Sequence, residues 1–381
     1  MPTSQNPIHV GVLFSETGVT AVVERTQRNA VLIAIEEVNA AGGIDGREVK
    51  AIAPDPASDP RRYGEAAAEL LDEGVRIIFG CYMSSTRRAV LPLIERRDAL
   101  LFYPTLYEGF EYSRNCVYSG AAPNQNSLGL ADHLTSHIDQ RFLCVGSNYV
   151  FPYESNRIMR DLLQNRGASI VEERYLPLRP SEEEIASVIA LVRKHAPVTI
   201  FSTIVGDGVT AFYRAYDNAG FDRSIAPIAS LTTGEPELNA MGVSAAEMHI
   251  TSAPYFSSVD RQESHDFVGR YRARHGADAA ISACTEAAYF QVHLFAEAAR
   301  RTGSEDPKRI LAALPTFSFD APQGAVQVDS RTNHTHLWPR LARVSSRGTF
   351  EIIEEARAPV RPDPYMVEPG HDGWDDEAAV Q

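Results

Sequence analysis

The hydrophobic pattern opens with a short apolar run that is followed by a longer stretch with helical spacing. Residues 9–15, HVGVLFS, are dense in apolar and β-branched side chains, which favours a buried strand. Apolar residues then recur at helical intervals before a glycine pair typical of a helix end: Val23, Ala30, Ile33, Ala34 and Val38, then Gly42 and Gly43. The start of the chain therefore predicts one β-α unit.

Two series of such units follow along the chain. The first continues with the strand-like runs EVKAIAPD, VRIIFGC and ALLFYP, separated by the helical stretches PRRYGEAAAELLDEG and SSTRRAVLPLIERRD. The second begins after YSGAAPNQNS and contains RFLCVGSNYV, SIVEERYLPL, VTIFSTIV and APIASLTT. Strands that alternate with helices favour parallel sheets covered on both faces. The pattern predicts an α/β protein with two doubly wound parallel-sheet lobes.

The last third of the chain changes character. Two helices are predicted near 261–275 and 279–301, followed by alternating segments with turn residues that favour antiparallel strands. We expect these elements to return to the two lobes, so that each lobe is discontinuous in sequence. The predicted division is an N-terminal lobe of residues 1–121 and 255–328, a C-terminal lobe of 122–254 and 329–362, and an acidic, Pro-containing tail of 363–381.

Charge and composition narrow the range of partners. The chain has 381 residues and a formal net charge of -14, which disfavours direct contact with nucleic acid or an anionic membrane surface. No apolar stretch approaches the roughly 20 residues of a membrane span. The first residues contain neither a basic region nor an apolar core of a signal peptide, so we expect a cytoplasmic protein.

Sequence motifs for catalysis and for cofactors are weak. Cys81 and Ser84 are the candidate nucleophiles of an amidohydrolase, but no base is visible beside them. GDGVTA, at 206–211, follows a strand as a dinucleotide motif would, but no acidic residue ends the next strand. His334 and His336 in NHTH share one strand face, and the interpretation we favour is a solvated edge. We therefore expect no enzyme activity, no cofactor and no metal site.

Polar side chains gather where the predicted parallel strands end. Ligands of open parallel sheets bind outside the carboxyl ends of the strands, which makes these side chains the candidate site. Because they are mostly neutral hydroxyls and aromatic rings, they suit a small neutral molecule such as an amide or urea better than an amino acid or a phosphate. The candidate ligand-binding residues are Tyr82, Ser84, Tyr103, Pro104, Thr105, Tyr149, Phe151, Thr203, Val205, Thr232 and Thr233.

Ten segments in the same order along the chain carry a family resemblance. LFSETGVT, GCYMS, YPTLYEGFEYS, APNQNS, ESNRIMR, FSTIVG, IASLTT, APYFSS, DAPQG and RPDPY resemble the AmiC family, the cytosolic amide sensors and negative regulators of bacterial aliphatic amidase operons. The resemblance implies the type I periplasmic-binding-protein fold, with two α/β lobes joined by three crossovers. It also implies that a short aliphatic amide binds between the lobes and that the protein sequesters an RNA-binding antiterminator until the amide arrives.

The resemblance also assigns residues. It places amide contacts on Ser84, Tyr103, Thr105 and Tyr149, with Tyr82, Pro104, Thr232 and Thr233 nearby. Two positions depart from the family's pattern: Leu106 replaces an expected proline and Phe151 an expected tyrosine. Loss of the phenol at Phe151 removes a hydrogen bond, so we expect a different preference for ligand size.

Two other functions remain open at the level of sequence. The first is a urea or short-chain-amide solute-binding component of an ABC transporter, because those relatives share YEG and APNQ-like segments. The second is the amidohydrolase, which ammonia release from acetamide would support. We expect ligand binding to shift the balance between open and closed arrangements of the lobes. The sequence leaves the preferred amide, a homo-oligomer and the partner-binding surface undetermined.

Overall fold

The structure is a computed structural model that describes residues 6–366. Packing divides the chain into two units, each built from several segments. The first unit contains the described residues up to Leu106, together with Glu111–Gly120 and Asp260–His336. The second unit contains Tyr107–Phe110, Ala121–Val259 and the described residues from Leu337 onward. Of the predicted tail, 363–381, the part from residue 367 onward lies outside the described residues.

The strands alternate with helices through the first two thirds of the chain. In chain order the strands are β1 (Ile8–Leu13), β2 (Val49–Ile52), β3 (Ile77–Gly80), β4 (Leu100–Tyr103), β5 (Cys116–Tyr118), β6 (Arg141–Ser147), β7 (Ser169–Leu176), β8 (Thr199–Thr203), β9 (Ile228–Ser230), β10 (Ile250–Ala253), β11 (Phe319–Ala321), β12 (Gly324–Val328), β13 (Thr335–His336), β14 (Arg340–Val344) and β15 (Phe350–Glu355).

The helices occupy the connections between these strands. They are α1 (Ala21–Ala40), α2 (Pro60–Asp72), α3 (Ser84–Arg96), α4 (Pro123–Asn126), α5 (Leu128–His137), α6 (Val150–Asn165), α7 (Glu182–His195), α8 (Asp207–Asn218), α9 (Glu235–Met241), α10 (Val243–Ala246), α11 (Gln262–His275), α12 (Ala283–Thr302) and α13 (Pro307–Ala313). Among residues 6–366, no helix has the length and apolar character needed to cross a membrane.

The first unit is built on a five-stranded parallel sheet. Its strand order is β2-β1-β3-β4-β5, so the chain reverses direction across the sheet between β1 and β3. β3 and β4 are buried along their whole length, as their continuous apolar runs predict for central strands covered on both faces. A small antiparallel sheet, β11-β12-β13, belongs to the same unit.

The second unit is built on a seven-stranded sheet with the order β15-β14-β10-β9-β8-β6-β7. The five strands from β10 to β7 in that order are parallel to one another. β14 and β15 are antiparallel to theirs, which confirms the expectation of antiparallel strands late in the chain. Both units therefore have the α/β architecture with parallel-sheet lobes that the pattern predicts, and the fold class is confirmed.

Local sequence signals fix the beginnings of several helices. Asp59 accepts a hydrogen bond from the backbone N–H of Arg62, and Pro60 occupies the first turn of α2. Ser181 accepts one from the N–H of Glu184, whose carboxylate accepts in return from the N–H of Ser181. Such caps satisfy N–H groups that have no partner inside a helix. They hold the α2 and α7 boundaries in register with the strands they follow.

Candidate functional site

The first unit brings five of the predicted ligand-binding residues to adjacent strand ends. β3 and β4 pair in parallel, with Ile77 opposite Leu100 and Phe79 opposite Phe102. The carboxyl ends of the two strands therefore lie side by side. Tyr82 and Ser84 follow β3, while β4 ends with Tyr103 and continues into Pro104 and Thr105, and all five are buried.

The hydroxyl groups at these strand ends are oriented by backbone carbonyls. The phenol of Tyr103 donates to the carbonyl oxygen of Tyr82 at 2.8 Å. The hydroxyl of Thr105 donates to the carbonyl oxygen of Cys81 at 3.3 Å and accepts from the side-chain amide of Gln27 at 3.1 Å. Because the Tyr103 and Thr105 protons are engaged with the backbone, these two oxygens are suited to act as acceptors.

A glycine allows the chain to pass close to Thr105. Gly120 follows β5, and a Cβ atom at this position would lie 2.1 Å from the carbonyl carbon of Thr105. No side chain fits at that distance, so the approach of the two backbones requires glycine. Cys81 adopts a left-handed backbone with φ of 71°, which is uncommon for a residue with a side chain. Both features shape the turns that carry the candidate residues.

A buried cation contacts two of these residues, and it was not predicted from the sequence. Arg87 is fully buried, and its guanidinium donates to the hydroxyl oxygen of Ser84 at 3.3 Å. The guanidinium carbon also lies 4.7 Å from the ring centroid of Tyr103, within range for a cation–π contact. A carboxylate in the same unit, that of Glu111, accepts from Arg87 through two atom pairs at 2.7 and 3.3 Å. The charge of Arg87 is therefore paired.

Of the two residues in the Arg87–Glu111 pair, only Arg87 has a local sequence signal for its position. Arg87 lies three residues after Ser84 in α3, so the two side chains share a helix face. Nothing in the local sequence places Glu111 there, because that contact spans 24 residues. The phenol of Tyr118 also donates to Glu111, at 3.1 Å. Tyr118 in turn stacks on the ring of His334, with centroids 4.2 Å apart.

His334 corrects one expectation. It is fully buried, and burial lowers the pKa of its imidazole to about 4. Its Nδ1 lies 2.7 Å from the carbonyl oxygen of Thr332. The solvated-edge interpretation of NHTH is therefore wrong for His334, because the stacked Tyr118 ring and the neighbouring strand cover it. His336 is partly exposed and lies 3.7 Å from Asp329.

A second buried charge in the first unit was also missed. Glu24 on α1 is fully buried and accepts from the N–H of Ser15 at 2.8 Å and from the hydroxyl of Thr20 at 2.5 Å. Ser58 donates to the same carboxylate at 3.3 Å, and the phenol of Tyr63 donates as well. These donors replace water around the ion. The sequence signal for Glu24 was its position next to Val23, a polar residue within the apolar pattern of a predicted helix.

Cys81 has the properties of a structural thiol. It is fully buried, and burial, together with the nearby Glu24 carboxylate, raises its pKa well above the ordinary value. A thiol rather than a thiolate is therefore present at neutral pH. This removes the nucleophile that the amidohydrolase hypothesis assigned to Cys81.

The second unit carries the other six predicted residues at its own strand ends. Tyr149 immediately precedes α6, and Phe151 lies in the first turn of this helix, with ring centroids 6.3 Å apart. Thr203 ends β8 and Val205 follows it. Thr232 and Thr233 follow β9, the strand that pairs with β8. Tyr149 and Phe151 follow β6, which pairs with β8 on the other side, so these residues belong to neighbouring strand ends.

The threonine hydroxyls of the second unit also donate to other protein groups, which here include side chains. Thr203 donates to the side-chain oxygen of Asn156 at 2.8 Å, and Thr232 donates to the carbonyl oxygen of Ile204 at 2.7 Å. Thr233 donates to the hydroxyl of Ser230 at 3.0 Å. Asn156 and Ser230 were not among the predicted residues. Both are buried, so they hold the threonines in fixed rotamers.

A buried carboxyl group lies one turn beyond Thr233. Glu237 accepts from the N–H of Gly234 at 2.8 Å, while its other oxygen has no hydrogen-bond partner among the described residues. Burial raises the pKa of this carboxyl from 4.5 to about 7. Glu237 therefore exchanges a proton near neutral pH. It lies in α9, the helix that follows the predicted site residues Thr232 and Thr233.

Comparison with known proteins decides the family. Residues 8–370 match the family described as the periplasmic binding protein domain, and this match extends over both units. The chain belongs to this family. Members of this family are binding proteins rather than enzymes, so the expectation that the chain is not an enzyme is confirmed.

Individual relatives of this periplasmic binding protein have low sequence identity to it. The chain is 21% identical over 338 residues to the leucine-, isoleucine-, valine-, threonine-, and alanine-binding protein of Pseudomonas aeruginosa, covering 85% of this chain and 86% of that protein. A stretch of 127 residues, 33% of the chain, is 29% identical to limonene hydroxylase of Geobacillus stearothermophilus but spans only 23% of that protein.

Among solved structures, the solute binding protein of an ABC transporter from Rhodopseudomonas palustris HaA2, in complex with p-hydroxybenzoic acid, has a TM-score of 0.85. It is 20% identical, and the match covers 95% of this chain and 99% of that one. At this identity the likeness establishes the fold alone. The type I fold of the family agrees with the expectation from the sequence, and the roles of the eleven predicted residues in ligand binding stay predictions.

Proposed function

We propose that this periplasmic binding protein is a cytoplasmic sensor of short aliphatic amides that represses amidase expression by sequestering an RNA-binding antiterminator. The observation that carries the proposal is the electrical neutrality of the strand ends in the first unit. One of their hydroxyls, that of Ser84, accepts from a buried arginine whose charge Glu111 already pairs. A ligand that brings its own charge would leave that charge without a partner, at a large desolvation cost.

The chemistry of an amide matches these groups. Its carbonyl oxygen needs donors, which Ser84 and the backbone N–H groups at the start of α3 supply. Its NH2 group needs acceptors, and the Tyr103 and Thr105 oxygens are suited to accept because their own protons point to backbone carbonyls. The rings of Tyr82 and Tyr103 limit the space for the alkyl chain, which favours short amides.

The regulatory part of the proposal rests on charge and on resemblance. With a net charge of -14 the chain is poorly suited to hold RNA itself, so a regulator of gene expression would act through a protein that does. The ten ordered segments shared with the amide-sensor family supply the class of that partner. In this scheme the amide releases the antiterminator by changing the conformation of the binding protein.

A second candidate function is a solute-binding component of an ABC transporter for urea or short amides. The relatives favour it, because the Pseudomonas aeruginosa protein is an amino-acid-binding protein and the Rhodopseudomonas palustris structure is a solute-binding component of an ABC transporter. Amino acids and benzoates carry a carboxylate. The paired state of Arg87 therefore favours an uncharged solute over either of these classes.

Calorimetric titration with a panel of solutes tests the ligand class. Acetamide, propionamide, butyramide and urea are titrated beside leucine and benzoate, with ammonia release followed in the same samples. Saturable binding of a short amide without ammonia release supports the sensor. Preferential binding of urea supports the transporter alternative, and binding of leucine or benzoate alone contradicts the proposal.

A serine pair in α3 gives a matched test of the site. Ser84→Ala removes the hydroxyl that contacts Arg87, and we expect acetamide affinity to fall roughly tenfold, the cost of about one hydrogen bond. Ser85→Ala, one residue later in the same helix, is the control and should bind acetamide normally. Equal affinities for the two variants in calorimetry would remove Ser84 from the site.

Size-exclusion chromatography with an amidase-operon antiterminator tests the regulatory part. The binding protein is expected to co-elute with the antiterminator and to release it when acetamide is added. If acetamide binds but no complex forms with or without it, the regulatory part fails while the ligand assignment stands.

A further inference from the structure

Two histidines and a glutamate in the second unit form a cluster outside the predicted ligand-binding residues. His133 and His137 lie four residues apart on α5, so they share one face of the helix. Glu354 reaches the same place from β15, the end strand of the seven-stranded sheet. One ligand atom from each of the three side chains lies within 4.8 Å of the other two.

The cluster combines a buried inner group with accessible outer ones. His133 is 7% exposed, whereas His137 is exposed and the Glu354 side chain is 35% exposed. The Nδ1 of His133 lies 2.5 Å from a carboxylate oxygen of Glu354. Its Nε2 is buried and has no hydrogen-bond partner among the described residues. The Nδ1 is therefore the nitrogen that faces Glu354 and is available to an ion shared with that carboxylate.

The second histidine is oriented as metal-binding histidines are. The Nδ1 of His137 lies 3.2 Å from the backbone carbonyl oxygen of His133, so it carries the proton and donates it. This tautomer leaves the lone pair on Nε2, the nitrogen at the outer end of the ring. A backbone carbonyl that holds the opposite nitrogen is the usual support of a histidine ligand. The ring centroids of His133 and His137 lie 4.9 Å apart.

We propose that His133, His137 and Glu354 bind one divalent transition-metal ion of the Zn²⁺ type. Two imidazoles and one carboxylate suit Zn²⁺, Co²⁺ or Ni²⁺, whereas Ca²⁺ and Mg²⁺ prefer oxygen ligands throughout. Water would complete a four-coordinate site. The ion takes the place of the hydrogen bond between His133 Nδ1 and Glu354, and the neutral imidazole then carries its proton on Nε2.

The ligand atoms need only a small adjustment to receive the ion. Metal–ligand bonds of 2.0–2.1 Å place the atoms of a tetrahedral site about 3.3 Å apart. His133 Nδ1 and Glu354 are closer than that at 2.5 Å, and the third ligand atom lies within 4.8 Å. Rotation of the exposed His137 and of the partly exposed Glu354 side chain would close these differences.

The ion would connect a helix to the end strand of the sheet in the second unit. Among the described residues β15 pairs with β14 alone, so the metal would add a second connection, from β15 to α5. An ion that binds only the folded state stabilises it in proportion to its concentration above the dissociation constant. Metal binding at this site would therefore stabilise the folded state by holding β15 to α5. It uses none of the predicted amide-binding residues, so its test is separate from that of the proposed function.

Spectroscopic titration of the untagged, chelator-treated protein with Co²⁺ tests the site. We expect one equivalent to give the intense visible absorption of tetrahedral Co²⁺, and one equivalent of Zn²⁺ to displace it. His137→Ala and Glu354→Gln are expected to weaken Co²⁺ affinity at least about tenfold. Both side chains are at least partly exposed, so the variants are expected to fold, which circular dichroism checks. His265→Ala, an exposed histidine of the first unit, is the control.

Melting curves give the second readout. Zn²⁺ is expected to raise the melting temperature of the wild-type chain and of His265→Ala, but not that of His137→Ala or Glu354→Gln. The proposal is overturned if Co²⁺ gives no tetrahedral spectrum. It is also overturned if both ligand variants retain wild-type affinity and metal-dependent melting, since the ion would then bind elsewhere.

Discussion

At the scale of single residues, Tyr103 links fold and site through one phenol. Its hydroxyl donates to the Tyr82 carbonyl at 2.8 Å, and its ring lies beneath the Arg87 guanidinium. Tyr103→Phe keeps the ring but leaves a buried carbonyl without that donor. We expect the free energy of unfolding to fall by about 1–3 kcal/mol and acetamide affinity to fall as well. Urea unfolding and calorimetry measure the two effects.

The exposed Tyr112 provides the matched control for this substitution. It is 46% exposed, so Tyr112→Phe should leave both the free energy of unfolding and acetamide affinity unchanged. If Tyr103→Phe loses stability but binds acetamide normally, Tyr103 supports the fold alone. That outcome would move the acceptor role to other hydroxyls.

Glu237 predicts a specific dependence of stability on pH. The pKa of its carboxyl is about 7 in the folded chain because of burial, and near 4.5 when unfolded. Stability from this group is complete below pH 4.5 and is lost as the pH rises through 7, since the unfolded chain ionises more readily. The shift corresponds to about 3 kcal/mol by pH 8.

Glu237→Gln should remove that loss, because the amide keeps the oxygen that accepts from Gly234 but carries no charge. We expect the variant to exceed wild type in melting temperature at pH 8 and to match it at pH 4.5. Glu235→Gln, a half-buried position in the same helix, separates the effect of burial from simple loss of negative charge. Parallel pH profiles for wild type and Glu237→Gln would contradict the assignment.

At the scale of elements, the turns after β3, β4 and β5 decide where the candidate residues point. A Cβ atom at Gly120 would lie 2.1 Å from the backbone of Thr105. Gly120→Ala must therefore push apart the segments after β4 and β5. We expect a loss of about 1–3 kcal/mol in the free energy of unfolding, with weaker acetamide binding because Thr105 moves.

Gly269 in α11 is the matched control. A Cβ atom there meets nothing within 4 Å, and the position is exposed. Gly269→Ala should stabilise the chain by up to about 1 kcal/mol, because alanine favours a helix over glycine. Denaturant unfolding of the two variants compares them directly. A Gly120→Ala chain as stable as wild type would show that the turn can relax.

The strands and helices show which parts of the fold could be predicted from the sequence. The sequence predicted β3, β4 and β8 because unbroken apolar runs between helical stretches indicate buried strands of a parallel sheet. β5 was missed because three residues, CVY, give no period. α5 was missed because its buried side includes His133 and no side chain caps its start. The Arg87–Glu111 pair was missed because long-range pairing leaves no local pattern.

At the scale of the whole molecule, two series of β-α units produce two units with polar strand ends, and the family match at 8–370 extends over both. The candidate residues divide five to the first unit and six to the second. In each unit the hydroxyl protons of the Tyr103, Thr105 and threonine side chains are engaged by other protein groups. The proposed recognition of a neutral N–H donor rests on this arrangement, because hydroxyl oxygens whose protons are engaged can accept a hydrogen bond.

The measurement that tests this claim most directly is a paired calorimetric titration with acetamide and acetate at pH 7. The two molecules have nearly the same shape and differ in charge and in the NH2 group. Since Arg87 is paired with Glu111, we predict saturable binding of acetamide and at least about a hundredfold weaker binding of acetate. Equal affinity, or preference for acetate, would contradict recognition of a neutral amide.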